Sequence, residues 1–420
     1  MVDKNLFPYD LAVVAIFKDE APYLREWLDY HLLAGVEHFY LYNNDSSDGY
    51  AEILKPYVDA NIVTLIDWSG KVMQMPAYED AVSRFRFFCR YIAFIDLDEF
   101  ILPKSDQSVV EVVDEILNKY PEACGLLINW HMFGSNGHER ADYSRGVLER
   151  FTRRAPTDWN FLDGNFIAGN NYWKTVVNPR SVKSFENTHA ANCFAGLQLV
   201  NSDGTYVADI SYNTVVADKI VVNHYYTKSR EEFLAKVNRS DACFPVNPRS
   251  MEKFRHYDRN EVFDDSILTY RAARIQNFSL TNDNQRFARV EKALVDTLTQ
   301  CSPFDAPAEF FVDKLETFLT CRRLAQHFGT RIGNFSAEEY ALVWLYQNIT
   351  QTTAFAYAEF QLLLDELPDI LARPFPLCKE ILQVIRENLV PLFVTALKDR
   401  TVWGARHELL RLQKFLTLLR

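Results

Sequence analysis

The chain has 420 residues, of which 48% are hydrophobic and 14% aromatic, with a formal net charge of −11 and a pI near 5.4. This composition excludes a disordered chain and supports two or three packed units at roughly 150 residues each. It also excludes a global basic field for nucleic acid, so a phosphorylated substrate must meet a local cation.

No apolar run reaches the ~18 residues of a membrane span, and the first six residues lack the apolar core of a signal peptide. Cys89, Cys124, Cys193, Cys243, Cys301, Cys321 and Cys378 are scattered without a Cys-x-x-Cys pair. Together these features predict a cytoplasmic protein with reduced cysteines and no structural zinc.

Taken in order, residues 11–17 form a continuous apolar run that suits a strand covered on both faces. A helix over 23–34 follows, with Pro22 in its first turn and Gly35 at its end. Strands at 38–42 and 61–67 flank a helix at 51–57, and a helix over 72–89 leads to a strand at 91–95. Further on, the spacing predicts a helix at 109–119, a strand at 125–130, and strands with functional loops over 150–220. A last strand at 219–223 runs into Ser229, which with Glu232 makes a capping box for a helix over 230–237. The alternation of strands and helices is the signature of an α/β fold with a largely parallel sheet. From about 265 only helical periods remain, at 285–299, 306–328, 336–349, 352–366, 376–399 and 402–419, with an internal break at 303–307. The expected division is an α/β unit over 1–264 and an all-helical unit over 265–420.

The chemistry concentrates after the fourth strand, where Asp96, Asp98 and Glu99 place three carboxylates within four residues. In extended backbone, side chains two apart share a face, so Asp96 and Asp98 point together while Leu97 turns to the core. Two close carboxylates repel unless a positive group lies between them, and a hard divalent cation with room for phosphate oxygens is one answer. Polar clusters also follow the first strand (Lys18, Asp19, Glu20) and the second (Asn43, Asn44, Asp45). In open α/β sheets, ligands sit off the carboxyl ends of strands.

Five motifs occur in order: Ala15-Ile16-Phe17-Lys18-Asp19-Glu20, Tyr42-Asn43-Asn44-Asp45-Ser46-Ser47-Asp48-Gly49, Phe94-Ile95-Asp96-Leu97-Asp98-Glu99-Phe100, Phe133-Gly134-Ser135 and Asn223-His224-Tyr225. Over about 9–240 this set resembles glycosyltransferase family 92 and related family-2-like transferases with the GT-A fold. The resemblance implies Mn²⁺ or Mg²⁺ held by Asp96, Asp98 and His224. It also implies a UDP-sugar contacted by Lys18, Asp19, Glu20, Asn43, Asp45, Gln74, Tyr78, Asp96 and Lys228. An inverting reaction needs a base for the acceptor hydroxyl. Glu139 is the first candidate, His138 and Asp163 the others, and His189 is assigned a structural role. The expected activity is transfer of a hexose, galactose or glucose, to a glycan, glycolipid or glycoprotein acceptor, in a bacterial enzyme without the membrane anchor of animal members. The helical unit is assigned to acceptor binding or to oligomerisation, with a homodimer one outcome. The helix at 403–420, apolar with interspersed Arg and Lys, is either a docked terminal helix or a peripheral membrane contact. The alternatives are a phosphohydrolase or nucleotidyltransferase using Asp96 and Asp98, and a non-catalytic glycan-binding relict of the fold. The first is disfavoured because phosphatases of the haloacid-dehalogenase type carry their nucleophilic Asp after the first strand.

Overall fold

The computed structural model describes residues 2–163, 166–194, 196–207, 214–239, 241–276, 278–279, 282–300, 314–351, 357–397 and 412–413. It divides into two compact units. One comprises Tyr9–Cys193 with Gln198–Leu280; the other comprises Met1–Pro8, Phe194–Leu197 and Thr281–Arg420. The division thus falls some fifteen residues beyond 265, since the helix Ser266–Gln276 buries Ile267 and Tyr270 in the core of the α/β unit.

The α/β unit is built on a ten-stranded sheet of β1 (Tyr9–Phe17), β2 (His38–Asn43), β3 (Val63–Asp67), β4 (Cys89–Phe94), β5 (Glu99–Pro103), β6 (Ala123–Met132), β7 (Trp173–Val177), β8 (Gln198–Val200), β9 (Tyr206–Val207) and β10 (Ile220–His224). The order is β9-β8-β6-β7-β4-β1-β2-β3, and β10 pairs with both β5 and β6. Strands β4, β1, β2 and β3 are parallel, with Val14 opposite both Tyr40 and Phe94. Strand β7 enters antiparallel between β4 and β6. Nearly every residue of β1 and β2 is buried, as a sheet covered on both faces requires. The helices are α1 (Ala21–Leu33), α2 (Tyr50–Asp59), α3 (Gln74–Phe85), α4 (Val109–Leu117), α5 (Arg230–Asn238), α6 (Met251–Tyr257) and α7 (Ser266–Gln276). Gly35 ends α1 at φ +100°, and a Cβ there would stand 2.9 Å from that of Ser108, the N-cap of α4. Only glycine satisfies both conditions.

Two local expectations change. The helix expected over 72–89 stops at Phe85, because Cys89 already pairs with Tyr9 to open β4. Strand β4 ends at Phe94, and Leu97 and Asp98 form a turn into β5, which the residue pattern had not revealed. The expectation of reduced cysteines holds for Cys89, Cys243, Cys321 and Cys378 and is corrected for two others. Cys124 on β6 and Cys193 form a disulfide with Cα atoms 6.2 Å apart, a pairing across 69 residues that the fold makes and spacing does not display.

The second unit contains α8 (Asp283–Thr299), α9 (Leu315–Phe328), α10 (Ala337–Gln351), α11 (Tyr357–Leu371), α12 (Leu377–Val384) and α13 (Val390–Leu397), with one π-helical turn at Ile385–Leu389. Its core holds an ionic cluster. The fully buried Arg322 of α9 donates to Glu366 and Asp369 of α11, each at 2.6 Å, while Arg323 adds a 2.6 Å contact to Glu366. The expected break at 303–307 and the terminal helix at 402–419 lie outside the described residues, apart from helical backbone at 412–413.

The capping box of α5 forms as the sequence predicts, Ser229 Oγ accepting from the Glu232 N–H and Glu232 accepting from the Ser229 N–H at 3.0 Å. The Glu232 carboxylate also takes both arms of the buried Arg150, at 2.8 and 2.9 Å, and the hydroxyl of Tyr23 at 2.9 Å. Burial opposes its charge, yet Arg150 and Ser229 hold its pKa down to about 2, from 4.5. A depressed carboxylate contributes its stability above the unfolded value and loses it as pH falls through the folded one. The unfolding free energy of the wild type should therefore exceed that of Glu232→Gln by a margin that shrinks between pH 4.5 and 2. The loss should be about 3 kcal/mol. Urea unfolding of both proteins across this range checks it, and a pH-independent margin contradicts it.

Candidate active site

Beyond the carboxyl ends of β1 and β4 lies a cleft of about 370 Å³. Lys18, Glu20, Gln74, Asp96, Asp98, Trp130, His189, His224, Lys236 and Arg239 line it, among others. Its floor is the turn after β4. Glu99 N–H donates to the Asp96 carbonyl at 3.1 Å, while Glu99 Oε2 accepts from the Asp96 N–H at 2.8 Å. Leu97 is buried in the core as its apolar character demands, and Asp96 and Asp98 both face the cleft. They converge because of this reciprocally bonded turn, not because the strand stays extended.

Each carboxylate is met by a buried lysine. Lys174 of β7 reaches Asp96 Oδ2 at 2.7 Å, and Gln74, at the first position of α3, donates to Asp96 Oδ1 at 2.9 Å. Lys236 of α5 reaches Asp98 Oδ2 at 2.5 Å, and burial pulls its pKa down to about 7 against the opposing pull of Asp98. Burial works against the charge on Asp98, but Lys236, His224 and Lys228 outweigh it and hold its carboxyl well below the usual range. Burial has the opposite result at Glu99, where it wins over Lys174 and pushes the carboxyl well above the usual range. The same Oε2 that ties the turn stands 3.4 Å from the Lys174 ammonium. Neither lysine was singled out by the sequence. Lys174 carried one faint signal, a lone cation inside the apolar run 172–177.

His224 arrives from β10, opposite Glu99 in the antiparallel register with β5. Its Nε2 lies 3.5 Å from Asp98 Oδ1, and Trp130 packs against its ring at 4.4 Å between centroids. Burial lowers its pKa, which leaves a neutral imidazole able to ligate. His189 also faces the cleft. Its Nδ1 contacts the Trp173 carbonyl at 3.2 Å, so that nitrogen carries the hydrogen and Nε2 is left as the acceptor.

The other predicted residues separate. Lys18 and Glu20 line the cleft, and Arg239 joins them by donating to the Lys18 carbonyl at 2.7 Å and pairing with the Glu20 carboxylate. Asp19 and Asp45 do not line it. Both have left-handed backbone, and they brace the loops after β1 and β2 through the Ser47 and Gly70 N–H groups. Asn43 is occupied by Tyr50 and Asp67, and the neighbouring Asn44 reaches the cleft instead. Tyr78 lies behind the wall, accepting from Gln74 at 2.8 Å. Lys228 is buried 4.2 Å from the ring centre of Tyr23 and is not a lining residue. Glu139 is 74% exposed, faces Arg230 at 3.7 Å and lies off the cleft. His138 packs on Phe151 away from the cleft, and the side chain of Asp163 lies outside the described residues.

Residues 13–268 match the model of glycosyltransferase family 92. The chain belongs to this family. The family 92 region contains the whole cleft. A family 92 protein of Ricinus communis is 23% identical over 60% of this chain and 42% of its own length. One of Oryza sativa is 25% identical over 60% of this chain and 39% of its own. The chain thus spans about two fifths of the curated relatives it matches. The galactan beta-1,4-galactosyltransferase GALS2 of Arabidopsis thaliana is 29% identical over a shorter stretch, 21% of this chain and 19% of that protein. Among solved structures, residues 1–349 of S. aureus TarS in complex with UDP align at 12% identity over 83% of this chain and 94% of that one, with a TM-score of 0.31, too loose a likeness to argue from. No helix among the described residues is long and apolar enough to cross a membrane.

The turn at the cleft floor depends on an acceptor at position 99. Glu99→Gln keeps one and should leave the melting temperature within a few degrees of the wild type. Glu99→Ala strands the Asp96 N–H and should cost about 1–3 kcal/mol. Thermal and urea unfolding of the two variants checks this, and equal losses in both contradict it.

Proposed function

We propose that this cleft binds a UDP-sugar and transfers its hexose, galactose or glucose, with inversion to a hydroxyl of a glycan, lipid-linked or protein acceptor. The observation that carries the reading is the Asp96–Asp98 turn at the end of β4, set beside His224 and a cluster of cations inside the family 92 region. Glycosyl transfer leaves negative charge on the departing diphosphate, and preorganised cations beside it lower the barrier. Lys18, Lys236 and Arg239 are the cationic groups of the cleft nearest the ends of β1 and α5. Gln74 and Lys174 fix the orientation of Asp96, and the buried Trp130 wall fixes that of His224.

The residues fit a divalent cation by donor chemistry. Among the described residues no three His, Cys, Asp or Glu side chains converge into a protein cage. Mg²⁺-type sites, however, use one or two carboxylates together with substrate phosphates. Asp98 and the neutral His224 supply such a partial set, with Asp96 beside them. When bound there, Mn²⁺ or Mg²⁺ supplies Lewis-acid stabilisation of the developing diphosphate charge.

Asp98→Asn should reduce the rate of UDP release from UDP-galactose or UDP-glucose at least a hundredfold, while Glu139→Gln should stay within threefold of the wild type. A coupled UDP-release assay with a panel of sugar acceptors measures both. Full activity in Asp98→Asn contradicts the reading.

A further inference from the structure

The Lys236 ammonium is held on three sides. It lies 2.5 Å from Asp98 Oδ2, donates to the Tyr226 carbonyl at 2.9 Å, and stands 5.4 Å from the centre of the Tyr226 ring. It is buried, and it lines the same cleft as Asp98 and His224. The helix that carries it is anchored by the Ser229–Glu232 capping box and the buried Arg150, so the ammonium is positioned by the fold and not by chance rotamer choice. We propose that Lys236 is a built-in competitor for the metal, occupying Asp98 until a nucleotide diphosphate draws its ammonium away.

The physical reason is charge. A divalent cation on Asp98 and His224 sits within a few ångströms of the ammonium, and in a partly buried site that repulsion is poorly screened. The contact also takes one of the two carboxylate oxygens that a metal would use. A diphosphate reverses both terms, because its oxygens give the ammonium a new partner and free Asp98. Metal and nucleotide then raise each other's affinity by one common factor. Lys236 is thus a positioning residue that makes metal binding conditional on the donor. The nucleotide half of this argument rests on the function proposed above, whereas the competition between Lys236 and the metal does not.

The test follows free Mn²⁺ by its electron paramagnetic resonance signal during titration of the full chain. Without nucleotide, Lys236→Met should bind Mn²⁺ at least tenfold more tightly than the wild type, and adding Asp98→Asn should abolish the gain. Lys236→Arg keeps the positive charge and should remain as weak as the wild type. In the wild type, UDP should tighten Mn²⁺ binding at least tenfold, and that factor should fall in Lys236→Met. Equal or weaker Mn²⁺ binding by Lys236→Met overturns the proposal. So does a wild type that binds UDP yet holds Mn²⁺ no more tightly with it than without it, a measurement that needs no variant to fold. A protein that binds UDP under no condition, yet gains Mn²⁺ affinity in Lys236→Met, overturns the UDP-sugar reading and keeps the competition.

Discussion

Two lysine–carboxylate contacts at the end of one strand hold this cleft together. A chain that places Asp96, Asp98 and Glu99 in a single turn concentrates acidic groups at the floor of a partly buried cleft. Left alone, their charge opposes folding. Lys174 meets Asp96, Lys236 meets Asp98, and burial pushes the Glu99 carboxyl above its ordinary range. The third acid then becomes a tie that closes the turn through the Asp96 N–H.

The topology exists to bring those partners in. Lys174 requires β7 to insert antiparallel beside β4, with Thr175 opposite Phe94. His224 requires β10 to lie between β5 and β6, which sets it opposite Glu99. Lys236 requires α5 to start at a fixed point, and the capping box with its Arg150–Glu232 pair supplies that point. Arg239, just past the same helix, closes the circuit back to the loop after β1. Four segments distant in sequence therefore meet around one turn. The helical unit has its own charged core, in which Arg322 is buried against Glu366 and Asp369.

Much of the scaffold was legible. The apolar runs of β1, β2 and β4 and the capping box of α5 are local patterns, and each appears within a few residues of its expected place. Asp96, Asp98, His224, Lys18 and Glu20 were likewise found as cleft residues from motifs in chain order, and Gln74 from the family resemblance of its helix. The candidates that left the cleft did so for local reasons. Asp19 and Asp45 turned out to brace loops, Lys228 found an aromatic ring, and Glu139 pointed to solvent beside Arg230.

The sequence by itself determined the order of strands and helices as far as β4, the membership in family 92 and the identity of the acids at the cleft floor. These follow from periodicity, capping and motif order, all of which act over a few neighbouring residues. Only the tertiary structure decided which charges those acids meet, that Cys124 and Cys193 join, and which polar residues face the cleft. An ion pair in the cleft relates residues far apart in the chain, 138 positions for Lys236 and Asp98 and 219 for Arg239 and Glu20, and no local pattern encodes it. Long-range neutralisation is selected by the three-dimensional cost of an unpaired buried charge, which exists only once the chain has folded around it.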